Sequence, residues 1–255
     1  MDTMTLYVDK KSPIHSIDPL TKLIYAMVNI AIAYILNRLV PIFILTVLTF
    51  FILFLGKVFR RILPILGLSL LLIFSIVVVQ GFFNPENQTV LFEIGGVTFY
   101  EEGMLAASMF TLRILNMIAS FGVLILTTRP DELVEALIRR GFSSRFGYVI
   151  LAVLQLIPQM QATMGKITDA QRSRGMETEG NLITRIQAFF PLIIPVVLNS
   201  LNDTRERAIA LEIRGFGSKS ARTFLNEKQE YPYKHILRAF ILVGLIGAIV
   251  WRVWR

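Results

Sequence analysis

Apolar residues in this chain gather into long runs rather than into alternations. Five runs approach the roughly 20 residues of helix needed to cross a hydrocarbon core of about 30 Å. They are Leu20 to Leu36, Leu39 to Leu55, Ile62 to Val79, Met104 to Thr127 and Ile236 to Trp254. No strand-period alternation is sustained anywhere, and backbone groups in lipid must pair within the protein, so the runs are predicted as helices. The fold class that follows is all-α: a polytopic membrane protein with about five transmembrane helices. Ahead of the first run, Asp18 is placed to cap free N–H groups, with Pro19 at the first helical position where no N–H is needed. Pro64 falls in the first turn of the third run, where it costs little.

Polar positions between the runs are asymmetric in charge. The turn after Leu55 holds Lys57, Arg60 and Arg61. The stretch 80–103 holds Glu86, Glu93, Glu101 and Glu102 and no Lys or Arg, so it is read as an outer loop. Lys and Arg collect on the cytoplasmic side of membrane proteins, which puts the N-terminus and the 57–61 turn inside. The fourth run then leads inward to a polar stretch that reaches His235 and carries 15 of the 26 Lys and Arg residues. The predicted organisation is a transmembrane region over 1–127, a helical cytoplasmic domain over 128–235 and a final span over 236–255. Arg238, Trp251, Arg252 and Trp254 are suited to anchoring that span at the two interfaces. Within the cytoplasmic stretch, Phe146–Ile157 and Phe189–Leu198 are apolar for only about a dozen residues. They suit short helices packed under the membrane better than further spans.

Composition narrows the chemistry. Hydrophobic residues make up 54% and charged ones 17%, an apolar excess that the spans absorb. The formal charge of +8 is accounted for by the inside rule, so no nucleic-acid partner is expected. There is no cysteine, which excludes disulfides, thiol catalysis and thiolate metal sites. His15 and His235 lie at opposite ends of the chain without clustered ligands, so neither a metal nor another cofactor is expected. No Gly-x-x-x-x-Gly-Lys-Ser/Thr loop is present, so the chain is not expected to hydrolyse ATP. The polar first 19 residues lack the layout of a cleaved signal, and the first span is expected to be retained.

The most informative pattern is an internal repeat. Ala170-Gln171-Arg172-Ser173-Arg174-Gly175-Met176 aligns with Ala210-Leu211-Glu212-Ile213-Arg214-Gly215-Phe216, 40 residues later. Lys166, Ala170 and Arg174 have the spacing of one helical stripe, and Glu206, Ala210 and Arg214 that of another. Gly after a helix end, with Arg in the last turn, is a common terminator. Two copies on one basic segment suggest, in addition, two helix ends that offer equivalent Arg side chains to equivalent partner surfaces.

These motifs resemble those of the transmembrane T component of energy-coupling factor (ECF) transporters. The resemblance rests on Ser12-Pro13-Ile14-His15-Ser16-Ile17-Asp18-Pro19-Leu20-Thr21-Lys22, on Leu126-Thr127-Thr128-Arg129-Pro130-Asp131-Glu132-Leu133 and on the two Arg-Gly motifs. It implies a non-catalytic scaffold in the cell membrane that meets two ABC-type ATPases and a membrane-embedded substrate-binding S component for vitamin or transition-metal uptake. In that family two x-Arg-x motifs end the coupling helices, matching Ser173-Arg174-Gly175 and Ile213-Arg214-Gly215. Ala170, Met176, Ala210 and Phe216 would support those contacts.

Arg113 lies within the fourth run, where a charge is costly and needs a partner. It is read as structural, bonded to backbone carbonyls or to Asn29 or Asn116, with a place in the S-component seam as the alternative. Gly244 and Ala248 permit close helix approach in the last span. Two other functions compete: a secondary transporter binding its own substrate at mid-membrane, and an intramembrane enzyme. The first predicts ionisable residues within the spans, where Arg113 is nearly alone. The second predicts an acid–base cluster at the membrane surface.

Overall fold

The structure is a computed structural model that describes residues 7–8, 10, 12–85, 87–94, 97–176, 181–216 and 233–254. Five helices correspond to the predicted runs: α1 (Pro19–Ile35), α2 (Leu39–Leu55), α3 (Phe59–Phe83), α4 (Glu101–Thr127) and α8 (Lys234–Val253). Between them lie β1 (Val90–Ile94), β2 (Val97–Tyr100), α5 (Pro130–Ile138), α6 (Ser144–Ser173) and α7 (Leu182–Ile213). α3, α4, α6 and α8 are long and apolar enough to cross a membrane, and α1 and α2 are shorter apolar helices. Large apolar side chains stand outward along them, with Leu68 81% and Leu71 80% exposed. Such a surface suits a hydrocarbon solvent and would be a liability in water.

The described residues divide into two compact units, one holding α1 to α5 with α8, the other holding α6 and α7. In the first, α4 packs against α1, α2 and α3, while α8 packs chiefly on α1. The apolar core at the α2–α3 turn joins Leu53, Val58 and Ile62 to Ala119, Val123 and Leu126 of α4. Close approach depends on two α4 glycines. A Cβ on Gly122 would stand 2.2 Å from Ile62 Cδ1, and one on Gly103 2.3 Å from the carbonyl oxygen of Gln80.

Within this unit a polar cluster crosses three helices. Asn29 Nδ2 of α1 donates to Thr49 Oγ1 of α2 at 2.8 Å and to Ser120 Oγ of α4 at 2.7 Å. Thr49 Oγ1 donates to Asn116 Oδ1 at 2.8 Å. Thr49, Asn116 and Ser120 are completely buried. With no water available, these groups must satisfy one another, which fixes the register of α1, α2 and α4 together.

The ends of the helices are tied by long side chains. Lys22 is buried and donates through Nζ to Thr127 O at 2.8 Å, while Val8 N donates to Leu126 O at 3.0 Å. The stretch 12–22 thus meets the stretch 126–133, more than a hundred residues later in the sequence. Asp18 does stand at the N-cap of α1 with Pro19 next, but its side chain does not cap the helix. The carboxylate instead pairs with Arg238 of α8, whose Nε also donates to Thr21 Oγ1 at 2.8 Å. The carboxylate meets a full opposite charge here, largely out of water, where a cap bond would give it only a backbone dipole.

Two expectations need correction. The acidic segment is not all loop, since β1 and β2 form an antiparallel hairpin with Ile94 opposite Val97 and Val90 opposite Tyr100. Gly95-Gly96 between Phe92-Glu93-Ile94 and Val97-Thr98-Phe99, each alternating apolar and polar, is a hairpin signal that the search for long runs passes over. Glu102, opening α4, accepts from the N–H groups of Gln88 and Thr89 at 3.3 and 3.2 Å. Nor are Phe146–Ile157 and Phe189–Leu198 short helices. They lie inside α6 and α7, of 30 and 32 residues, which run on through Pro158 and through Pro191 and Pro195. Polar residues that prolong a helix on its exposed face leave no gap in the backbone pattern, so apolar length underestimates helix length.

Asn116→Ala would leave Asn29 and Thr49 each short of a partner where no water can replace it. The expected cost is about 2 kcal/mol, read as a fall of roughly 4–8 °C in the melting temperature of the detergent-solubilised protein. An unchanged melting temperature would show that the cluster does not hold the three helices.

Candidate functional site: two matched helix ends

α6 and α7 form an antiparallel pair. Gln159 of α6 donates through Nε2 to Asp203 Oδ2 at 2.7 Å and accepts from Arg207 Nη2 at 2.6 Å, both on α7. Further along, the Tyr148 ring meets Phe216 edge-on with centroids 5.0 Å apart. Contact positions rise along one helix as they fall along the other, so the two C-terminal ends point in opposite directions. Arg174 lies about four turns beyond Gln159 and Arg214 about three turns beyond Asp203, which separates the ends by about 35–40 Å along the pair. Sequence reading did not identify the Gln159, Asp203 and Arg207 link. Its trace was the i, i+4 pair Asp203 and Arg207 on the polar flank of an apolar stretch.

Both ends finish with the same hydrogen bonds. In α6, Met176 N donates to Gln171 O at 3.1 Å and Gly175 N to Arg172 O at 2.9 Å. In α7, Phe216 N donates to Leu211 O at 3.0 Å and Gly215 N to Glu212 O at 2.9 Å. Gly175 has φ +83° and Gly215 φ +70°, the left-handed conformation that glycine adopts without penalty. Each end is a complete Schellman motif, in which the 6→1 and 5→2 bonds satisfy the last carbonyls. The sequence repeat is therefore a repeat of backbone geometry, position for position.

Exposure repeats as well. Gln171 and Met176 are half-buried, as are Leu211 and Phe216, while the four residues between each pair are exposed. Ser173 and Ile213 precede the arginines at equivalent places. Ser173 Oγ folds back on Asp169 O at 3.0 Å, and Ile213 is 81% exposed. Ala170 and Ala210 are exposed one turn earlier, and so are Lys166 and Glu206, so both predicted stripes face outward. Among the described residues neither the Arg174 nor the Arg214 guanidinium has a hydrogen-bond or ion-pair partner. The cap is built entirely from backbone groups, so both side chains are free for another surface. Phe216 is less free than its place in the repeat suggests, because its ring rests on Tyr148.

Arg113 lies elsewhere, in the other unit. Its Nε donates to Ala33 O and its Nη2 to Leu36 O, each at 3.1 Å, with Asn37 Oδ1 3.4 Å away. These are the carbonyls at the C-terminal end of α1, where a cation also offsets the helix dipole. Tyr34 and Phe110 place their rings 5.4 and 5.9 Å from the guanidinium carbon. Asn29 and Asn116, weighed as partners from sequence, instead bond within their own cluster.

Residues 10–224 match the family described as CbiQ, cobalt transport protein. Relatives align along nearly their whole length. One from Streptococcus equi subsp. equi (strain 4047) is 28% identical over 97% of this chain and 95% of its own. One from Brevibacillus brevis (strain 47 / JCM 6285 / NBRC 100599) is 28% identical over 98% and 96%. One from Thermanaerovibrio acidaminovorans (strain ATCC 49978 / DSM 6589 / Su883) is 29% identical over 97% and 93%. Each of the three is named energy-coupling factor transporter transmembrane protein EcfT. With the family matched over most of its length, including both Arg-Gly helix ends, this multi-pass membrane chain belongs to the CbiQ family of cobalt transport proteins.

Proposed function

We propose that the chain is the transmembrane coupling subunit of an ECF-type importer, and that Arg174 and Arg214 each dock one of two ABC-type ATPases. A membrane-embedded S component brings the vitamin or metal ion, and the ATPases supply the energy, so this subunit performs no catalysis. Residues 1–127 and 236–255 hold the complex in the cell membrane. Residues 128–235 form the cytoplasmic coupling domain, with the N-terminus on the same side.

One observation carries this reading: the same cap, the same exposure pattern and an Arg without a partner among the described residues recur at the two ends of a single antiparallel pair. A guanidinium is a planar fork of five donors and stays charged, so it suits a carboxylate-lined groove better than Lys would. Ser173, Gly175, Ile213 and Gly215 flank the two arginines closely, and Met176 and Phe216 add apolar contact beside the charge. An ATP-driven change in the spacing of the ATPases would pull on ends some tens of ångströms apart. A helix pair braced by Gln159 passes that displacement on rather than absorbing it, because packed helices are stiff. Acidic groups cluster near α4's start while basic ones crowd 128–235, an asymmetry that supports the cytoplasmic placement of the coupling domain.

Capping and docking make different demands, so substitutions separate them. Arg174→Ala or Arg214→Ala leaves the backbone cap intact and weakens one ATPase contact by about 2–5 kcal/mol, roughly 30-fold to several thousand-fold. Avidity through the other end masks part of a single loss. The Arg174→Ala/Arg214→Ala double variant is expected to lose both ATPases on purification and to abolish uptake, with an unchanged melting temperature. Gly175→Ala and Gly215→Ala are expected to do the reverse, fraying a helix end at a cost of about 1–2 kcal/mol while ATPases remain bound. Normal uptake with both ATPases retained in the double Arg variant would refute the proposal.

The cysteine-free chain also allows a direct test of orientation. Gln88→Cys is expected to react with an impermeant thiol reagent on intact cells, and Lys166→Cys only after the cells are opened. Reaction of Lys166→Cys on intact cells would overturn the topology.

A further inference from the structure

An apolar groove of about 750 Å³ runs between α1, α2 and α8. Ile32, Leu45, Leu48, Phe240 and Gly244 line it, and Trp251 stands at one end. Its lining on α8 extends from Leu237 to Trp251, a rise of about 20 Å, longer than one leaflet of a core about 30 Å thick. Nothing lies within 4 Å of where a Cβ on Gly247 would be. Beyond Trp251 and Pro41 the groove adjoins a second cavity of about 630 Å³, lined by Asn37 and Arg38.

That end of the groove is strongly cationic. Arg252 Nη1 reaches Ile35 O at 3.3 Å, and Arg113 reaches Leu36 O at 3.1 Å, so two guanidinium groups gather at the α1–α2 turn beside Arg38. Among the described residues none of the three has a carboxylate partner. Three uncompensated cations at the mouth of a lipid-facing apolar channel call for an amphiphile with an anionic head and a long hydrocarbon tail. Water fits poorly, because an apolar cavity gives it too few hydrogen-bond partners. A soluble anion would leave the apolar channel unfilled.

We propose that this groove seats one acyl chain of an anionic phospholipid, whose phosphate is held by Arg38 and Arg252. The lipid acts as a wedge between α8 and α2, two helices that both lean on α1. Arg113, already bonded to the turn, adds long-range attraction without touching the phosphate. The inference is independent of the coupling role, because it concerns only the unit that contains α1, α2, α4 and α8.

Trp251 is a built-in reporter, since the chain has only two tryptophans and Trp254→Phe leaves it alone. The full-length Trp254→Phe chain is reconstituted into phosphatidylcholine vesicles with increasing fractions of brominated-chain phosphatidylglycerol or brominated-chain phosphatidylcholine. Trp251 fluorescence is expected to reach half-quenching at about a thirtyfold lower mole fraction of the anionic lipid, the preference that a pair of interfacial arginines supplies. Adding Arg38→Gln and Arg252→Gln is expected to merge the two curves, whereas Arg38→Lys with Arg252→Lys keeps them apart. Gly247→Leu, which fills the groove, is expected to reduce quenching by both lipids. Coincident curves for the Trp254→Phe chain would overturn the proposal, as would a preference that survives the Gln pair or quenching indifferent to Gly247→Leu.

Discussion

Asn116 has no access to water, and the same is true of Thr49 and Ser120 beside it. In hydrocarbon an unsatisfied amide costs several kcal/mol, so these groups have to find each other. Meeting that requirement sets where α1, α2 and α4 sit, and the other contacts in this unit build on the placement. Gly122 and Gly103 then let α4 approach Ile62 and the Gln80 carbonyl. Lys22 closes the last turn of α4, Arg113 closes the last turn of α1, and the Arg238–Asp18 pair brings α8 onto α1. Each of these three cations is spent on a helix end or a carboxylate, which is the least costly use of charge at a membrane boundary.

The unit holding α6 and α7 handles its charges differently. Arg207 is drawn into the Gln159 link that braces the two helices, while Arg174 and Arg214 have no partner among the described residues. Helix capping and partner recognition are usually rival explanations of an Arg-Gly ending. In the proposed coupling role they divide the residues between them: the glycine and the backbone perform the cap, and the arginine, which takes no part in it, is left for the partner. The left-handed glycine also turns the chain sharply away from the helix, leaving the preceding side chain at the tip.

Much of the fold was legible because apolar run length is a strong signal in lipid. The run Leu39 to Leu55 coincides with α2, and the others fall within a few residues of α1, α3, α4 and α8. The hairpin β1–β2 escaped a reading tuned to long runs, although its alternation is present around Glu93. The full lengths of α6 and α7 were hidden because their apolar stretches are short and interrupted by proline, while the helices extend through polar residues. At the site, the repeat announced both helix ends, since spacing and residue type are local properties. Backbone carbonyls were expected for Arg113, but the particular carbonyls, and the partners of Asp18 and Gln159, were not legible in the same way. They depend on which helices meet, and sequence separations such as that between Ala33 and Arg113 carry no local trace.

The claim that these two ends meet two separate ATPases can be tested by contact rather than by loss. Ser173→Cys and Ile213→Cys occupy equivalent places in the repeat, on a chain with no other cysteine. Each, carrying a short thiol-linked photo-crosslinker in the intact complex, is predicted to capture one ATPase chain. The variant with both cysteines is predicted to capture two on a single coupling subunit. An active complex in which neither position yields an ATPase adduct would contradict the account.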